Sequence, residues 1–242
     1  MKSYYGSIVE RTTISLRTGA DIDIPSHFAD LSSSVLQSCT LLQNLLQKII
    51  YVTHGSELLA AKRTLKEFPS PKARIDFLCS FPYSEHDPIV LSAFNYARSL
   101  FRGLYELRNV LSHEIWASSE DYGDSIIFSS LDEQARLLMA TGRIWHVADA
   151  TAQEVHDAVI RFIRSVKLIT SANLRTAMDD ARLCTWILMH IEGILEEPDP
   201  ARREEARQLF IQYKGTSHLF EGAQVTNGTL NYNSTKRKTI HR

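Results

Sequence analysis

Cysteine is scarce in this chain of 242 residues, with three in all, Cys39, Cys79 and Cys184. They are odd in number, far apart and form no C-x-x-C pair, which excludes a disulfide framework and a zinc cluster and predicts a reducing compartment. No apolar run approaches the length a membrane helix needs. No secretory pattern opens the chain either, because Met1 to Pro25 is charged throughout and has no apolar core. The expected location is therefore the cytoplasm, with no membrane attachment. An excess of one charge is also missing: 27 Lys and Arg balance 28 Asp and Glu, so no global field points to nucleic acid or lipid. The phosphate-loop, dinucleotide-binding and nucleophile-elbow motifs are all absent, and no cofactor is implied. Metal ligands are poorly spaced. His146 and His156 lack the i, i+4 step of a helical pair, and Asp87, beside Glu85 and His86, reads better as a helix cap.

What the chain does have is helix punctuation. Ser70-Pro71, Asp87-Pro88 and Asp199-Pro200 each set a capping residue before a proline suited to the first helical position. Thr151 to Glu154 has the form of a capping box, and Ser56 before Glu57 is a weaker start. These signals predict helices at roughly 26–53, 57–68, 71–79, 88–115, 152–195 and 200–213, the fifth long enough to break near Ser171–Asn173. Ile8, Thr12, Ile14 and Leu16 suggest a strand or hairpin. Ile126 to Phe128, Ala135 to Ala140 and the break at Gly142 before Arg143 to Val147 suggest a second hairpin after the fourth helix. The expected layout is an extended segment over 1–25, a mainly α helical domain over 26–213 with a β insertion at about 125–147, and a flexible tail over 214–242. That tail is basic: five cations against Glu221 give it +4, leaving the body at −5. A solvated terminus explains this more simply than a polyanion site.

The fourth helix is amphipathic. Val90, Ala93, Phe94, Ala97, Phe101, Leu104 and Leu111 recur at steps of three and four and mark a core-facing stripe. Arg108 falls on the same stripe, about 20° around the axis from Phe101 at 100° per residue. Arginine is almost never buried without a partner. Arg108 must then pair internally, with Glu106 or Glu114 for example, open into a cleft, or meet something from outside. Asn109 and His113 share a helix face, whereas His113 lies about 140° from Arg108 on an ideal helix. A straight helix in one chain therefore separates the two. A distortion, or a second copy packed across a two-fold axis, would bring them together, and the two-fold dimer is the commonest assembly of soluble proteins.

The run Arg108-Asn109-x-x-x-His113 resembles the R-x4-6-H signature of the HEPN superfamily, including the polar residue that often follows its arginine. The flanks Leu104 to Leu107 and Glu114 to Trp116 also fit. The resemblance covers about ten residues as motif and 26–195 as architecture. It implies an up-and-down helical bundle, here with a small β-hairpin element after the motif helix, a homodimer with facing signatures, and RNA as the ligand. In many members it also implies metal-independent RNA cleavage, in stress response or antiviral defence. Two departures stand out. The chain is longer than a minimal toxin of this superfamily, and it carries no nucleotidyltransferase signature, so any neutralising partner would be a separate protein. Other members bind nucleotides or only dimerise, so a non-catalytic module is the alternative, and a plain helical interaction protein is a third reading.

The chemistry suits the residues. Attack by a ribose 2′-hydroxyl on its own phosphate needs a proton acceptor, a proton donor and a counter-charge. Histidine titrates near neutrality, and the arginine fork matches phosphate oxygens. The expected roles are His113 as general acid or base, Arg108 as phosphate clamp and Asn109 as orienter. Ser112, Glu114 and Trp116 are expected to contact substrate, Trp116 by stacking a base.

Overall fold

Each proline-led helix start is capped as its sequence demands. The computed structural model describes residues 3–7, 17–18, 24–81, 87–118, 122, 125–146, 151–213, 216, 223–226 and 229–232. Helix α1 spans Ser26–His54, α2 Leu58–Glu67, α3 Pro71–Ser80, α4 Pro88–His113, α5 Leu131–His146, α6 Ala152–Ser165, α7 Ser171–Glu196 and α8 Pro200–Gln212. The Ser70 hydroxyl accepts from the Ala73 amide at 3.1 Å, and Asp199 accepts from Ala201 at 2.9 Å. Asp87 accepts from the amides of Ile89 and Val90. Thr151 and Glu154 close a reciprocal capping box. Such caps satisfy amides that have no partner within the helix. Ser56 does not cap α2, whose N-cap is Glu57 without a side-chain bond.

By contact the chain divides into two compact units, Met1–Cys39 with Gly103–Asp180, and Thr40–Arg102 with Ala181–Arg242. The first unit holds the sheet. Strands β1 (Gly6–Ser7), β2 (Arg17–Thr18), β3 (Ile115–Ser118), β4 (Ser125–Ser129) and β5 (Lys167–Thr170) form one sheet in the order β1-β5-β4-β3-β2, with every neighbouring pair antiparallel. Ala117 and Ile127 from the sheet pack with Phe162 and Val166 to form a core cluster, against which Leu137 of α5 also lies. In the second unit the buried set includes Leu42, Leu46, Ile75, Phe94, Ile187 and Phe210. A two-stranded ribbon, β6 (Ala223–Thr226) with β7 (Thr229–Tyr232), completes that unit.

Several expectations are corrected. An antiparallel strand pair does follow the motif helix, but it is β3 with β4 and not a hairpin over 125–147, because after β4 the chain enters α5, which runs through Gly142. Residues 131–140 are rich in Leu, Arg, Gln, Glu and Ala, all good helix formers, and Asp132 and Glu133 sit in the first turn where the helix dipole favours them. The strand at 125–129 takes its partners from β3 and β5 instead. The span 152–195, left open by the sequence to a break near Ser171–Asn173, does break there, into α6, β5 and α7, though the strand was not expected. Thr170 and Asn173 cap the restart: the Thr170 hydroxyl accepts from the Asn173 amide at 3.1 Å, and the Asn173 side chain accepts from the Thr170 amide at 2.9 Å.

Helix α4 ends at His113, and Ile115 and Trp116 begin a strand. At the N-terminus, β1 and β2 pair at opposite edges of the sheet and not with each other; Ile8, Thr12, Ile14 and Leu16 lie outside the described residues. Within the segment expected as a flexible tail, β6 and β7 pair antiparallel, with Thr226 opposite Thr229.

Candidate functional site at the end of α4

The stripe residues Val90, Ala93, Phe94, Ala97, Phe101, Leu104 and Leu111 are all buried. Arg108 is half-buried among them. It lies near the end of α4, so its aliphatic stem can cover apolar surface while the guanidinium reaches the exposed end of the helix. There Nη1 stands 3.1 Å from the Asn109 Oδ1 and 3.1 Å from the His113 Nε2. Among the described residues no carboxylate pairs with Arg108. Glu114, one of the partners expected from the sequence, is taken by Lys167 at the start of β5.

This geometry corrects the expectation that one straight helix keeps Arg108 and His113 apart. The helix is unbroken to its last residue, His113. Five residues advance about 7.5 Å along the axis, which a long arginine stem can span. His113 is exposed at the terminus, with no following helical turn to fix its ring. A single chain therefore assembles the Arg108, Asn109 and His113 cluster, and no second copy is needed for that contact.

Elementary hydrogen-bond chemistry fixes the direction of this contact. A guanidinium has donors only. It can bond to Nε2 only through that nitrogen's lone pair. The Arg108 charge is thereby turned toward Asn109 and His113 at the surface. It also acts inward. Burial pushes the Cys39 thiol up to about 12, and the Arg108 charge pulls partly against that rise. The thiol donates to the Leu104 carbonyl oxygen at 3.7 Å and serves packing.

The residues beyond His113 anchor the helix end. The Glu114 amide donates to the Val110 carbonyl at 3.1 Å, which prolongs the helical ladder by one residue. The indole of Trp116 donates to the Leu111 carbonyl at 3.2 Å, satisfying one of the carbonyls a helix end leaves without a partner. Its ring meets Phe128, the residue opposite it on β4, edge-on at a centroid distance of 4.9 Å. Trp116 is thus both half-buried and engaged on two sides, while Ser112 is exposed.

Glu114 pairs with the Lys167 ammonium, which also lies 5.4 Å from the centre of the Tyr5 ring. Sequence reasoning missed Lys167, because a 152–195 helix hid the strand that carries it. The signal available was Thr170-x-x-Asn173, a capping pattern inside the presumed helix. No family model, curated protein or solved structure matches this chain.

Among the described residues no three His, Cys, Asp or Glu side chains cluster to hold an ion. His156 is exposed, and the ring of His190 stands 2.9 Å from the Trp186 carbonyl. Glu85 and His86 lie outside the described residues, as does the side chain of His146. Asp87, read from sequence as a cap, also accepts from Arg207 through its second oxygen. No described helix is long and apolar enough to cross a membrane.

Proposed function

We propose that the end of α4 is an RNA-directed site of the HEPN type, and that the protein is a metal-independent endoribonuclease. One observation carries this reading: an arginine on the apolar stripe of a core helix meets no described carboxylate and reaches instead a surface histidine, 3.1 Å away, beside an asparagine. A clamp and a proton-transfer group within one hydrogen bond of each other suit attack on a phosphodiester. The ribose 2′-oxygen bonds to phosphorus, the bond from phosphorus to the 5′-oxygen breaks, and the 2′-hydroxyl proton leaves as the departing 5′-oxygen gains one. The products are a 2′,3′-cyclic phosphate and a 5′-hydroxyl.

In this reading Arg108 binds the non-bridging oxygens, Asn109 orients Arg108 and the substrate, and His113 moves a proton. Ser112 is open to solvent one turn along and free to contact substrate. Trp116 and Glu114 hold the helix end, and the exposed part of the indole offers a base a surface. The remaining helices would supply an up-and-down bundle of the superfamily, acting in defence or stress response, with any neutralising partner a separate protein.

The alternative is a non-catalytic dimerising or nucleotide-binding module of the same type. What favours dimerisation is exposed apolar surface on α5, where Leu131 and Leu138, two turns apart on one face, are 63% and 69% accessible. RNA cleavage by the pure protein in chelator, with His113→Ala alongside and the mass in solution measured, separates the two. A nuclease cleaves and the variant does not. A module of the second kind leaves RNA intact in both.

A further inference from the structure

We propose that binding of a phosphodiester at Arg108 loads a proton onto His113, so that anion capture and ionisation of the imidazole are one linked event. The inference rests on the proposed reading for the nature of the anion, and on the Arg108 to His113 contact for the linkage.

In the resting site the guanidinium Nη1 faces the Nε2 of His113 at 3.1 Å. That nitrogen must be unprotonated, because a proton there would oppose two donors and two positive charges across one hydrogen-bond distance. The resting contact and the imidazolium therefore exclude each other. A phosphodiester offers the guanidinium two charged oxygens, a better match to its fork than a neutral ring nitrogen. Once Arg108 turns to the phosphate, Nε2 loses its donor and gains an anion beside it. Both changes favour a proton at Nε2, drawn from water. The ring then holds its proton on the nitrogen that faced Arg108, which is the acid form suited to a departing 5′-oxygen.

The other charges near this end do not supply the same switch. Asn109, the neighbour one turn back on His113's face, is neutral. Glu114 is occupied by Lys167 from β5. Glu106 lies two turns back on the side of α4 that carries His113.

Calorimetry of the full-length protein tests this, using a 2′-O-methyl oligoribonucleotide, whose backbone carries charge that does not titrate near neutrality and which cannot be cleaved by 2′-attack. Binding is measured in two buffers of different ionisation enthalpy, so that the difference reports protons exchanged. The expected result is net proton uptake by the wild type and its loss in His113→Asn, with affinity falling from pH 6 to pH 8 in the wild type only. Binding without uptake, or uptake retained in His113→Asn, overturns the linkage and leaves the RNA reading standing. Failure of the oligonucleotide to bind overturns both.

Discussion

Arg108 sits half-buried on the apolar stripe of α4 with its guanidinium against the His113 ring. Removing it strands no described carboxylate, unlike the loss of one partner from a buried ion pair, which costs about 3–5 kcal/mol. Arg108→Met keeps the stem's apolar cover, so its unfolding free energy should stay within about 1 kcal/mol of wild type in urea titration, while RNA cleavage is lost. His113→Ala, at an exposed position, should likewise unfold as wild type and lose about 10²-fold or more in cleavage rate, the usual range for a proton-transfer residue. A fall in melting temperature in place of lost cleavage would assign both residues to structure. Cys39 gives a pH prediction. Its thiol ordinarily ionises near 9.0 and is held up to about 12 in the fold. The unfolded chain therefore gives up its proton first, and stability is full below pH 9 and falls as pH rises from 9 toward 12. Urea midpoints measured from pH 8 to pH 11 should drop, and the slope should be shallower in Cys39→Ala.

At the scale of elements, the end of α4 is fixed by contacts from outside the helix. Glu114 and Lys167 are 15% and 26% accessible, so the pair is largely withdrawn from water. Lys167→Met should destabilise by about 2–3 kcal/mol, because it leaves a poorly solvated carboxylate without its cation. Glu114→Gln in the same background should recover part of that loss in thermal melts. The start of α4 separates two roles of one side chain: Asp87 caps the helix through one oxygen and accepts from Arg207 through the other. Asp87→Asn keeps the cap and loses the ion pair. It should cost less than Asp87→Ala by about 1 kcal/mol, the usual value of a cap.

The proline-led starts were legible because a cap is decided within four residues. The sheet was not. β3, β4 and β5 are of four or five residues each, and β5, β1 and β2 reach β3 and β4 from distant parts of the chain, so most of the pairing is set by contacts across the first unit and not by local pattern. Gly142 misled because one glycine costs a helix only about 1 kcal/mol, which the neighbouring helix formers and the packing of Leu137 offset.

For the whole molecule, the division into two compact units was not legible, since it falls inside α1, α4 and α7, where the helical pattern continues across it. The candidate site was legible in identity and not in geometry. Arg108 stood out as a charge on an apolar stripe, and Asn109 and His113 as its polar neighbours. The angle between Arg108 and His113 argued for a second chain, because an angular projection counts neither the length of an arginine side chain nor the freedom of a residue at a helix terminus. Assembly into a dimer is thereby separated from assembly of the cluster, and the two can be measured apart. The exposed leucines of α5 set the dimer test: Leu138→Lys should lower the mass in solution if that face joins two copies, and should leave the Arg108 to His113 contact in place.

The most direct measurement is the rate of RNA cleavage by the pure wild-type protein in excess chelator, with the product ends identified. The account predicts cleavage at an undiminished rate, products ending in a 2′,3′-cyclic phosphate and a 5′-hydroxyl, and loss of both with His113→Ala. Intact RNA under these conditions, or cleavage unchanged in His113→Ala, would contradict it.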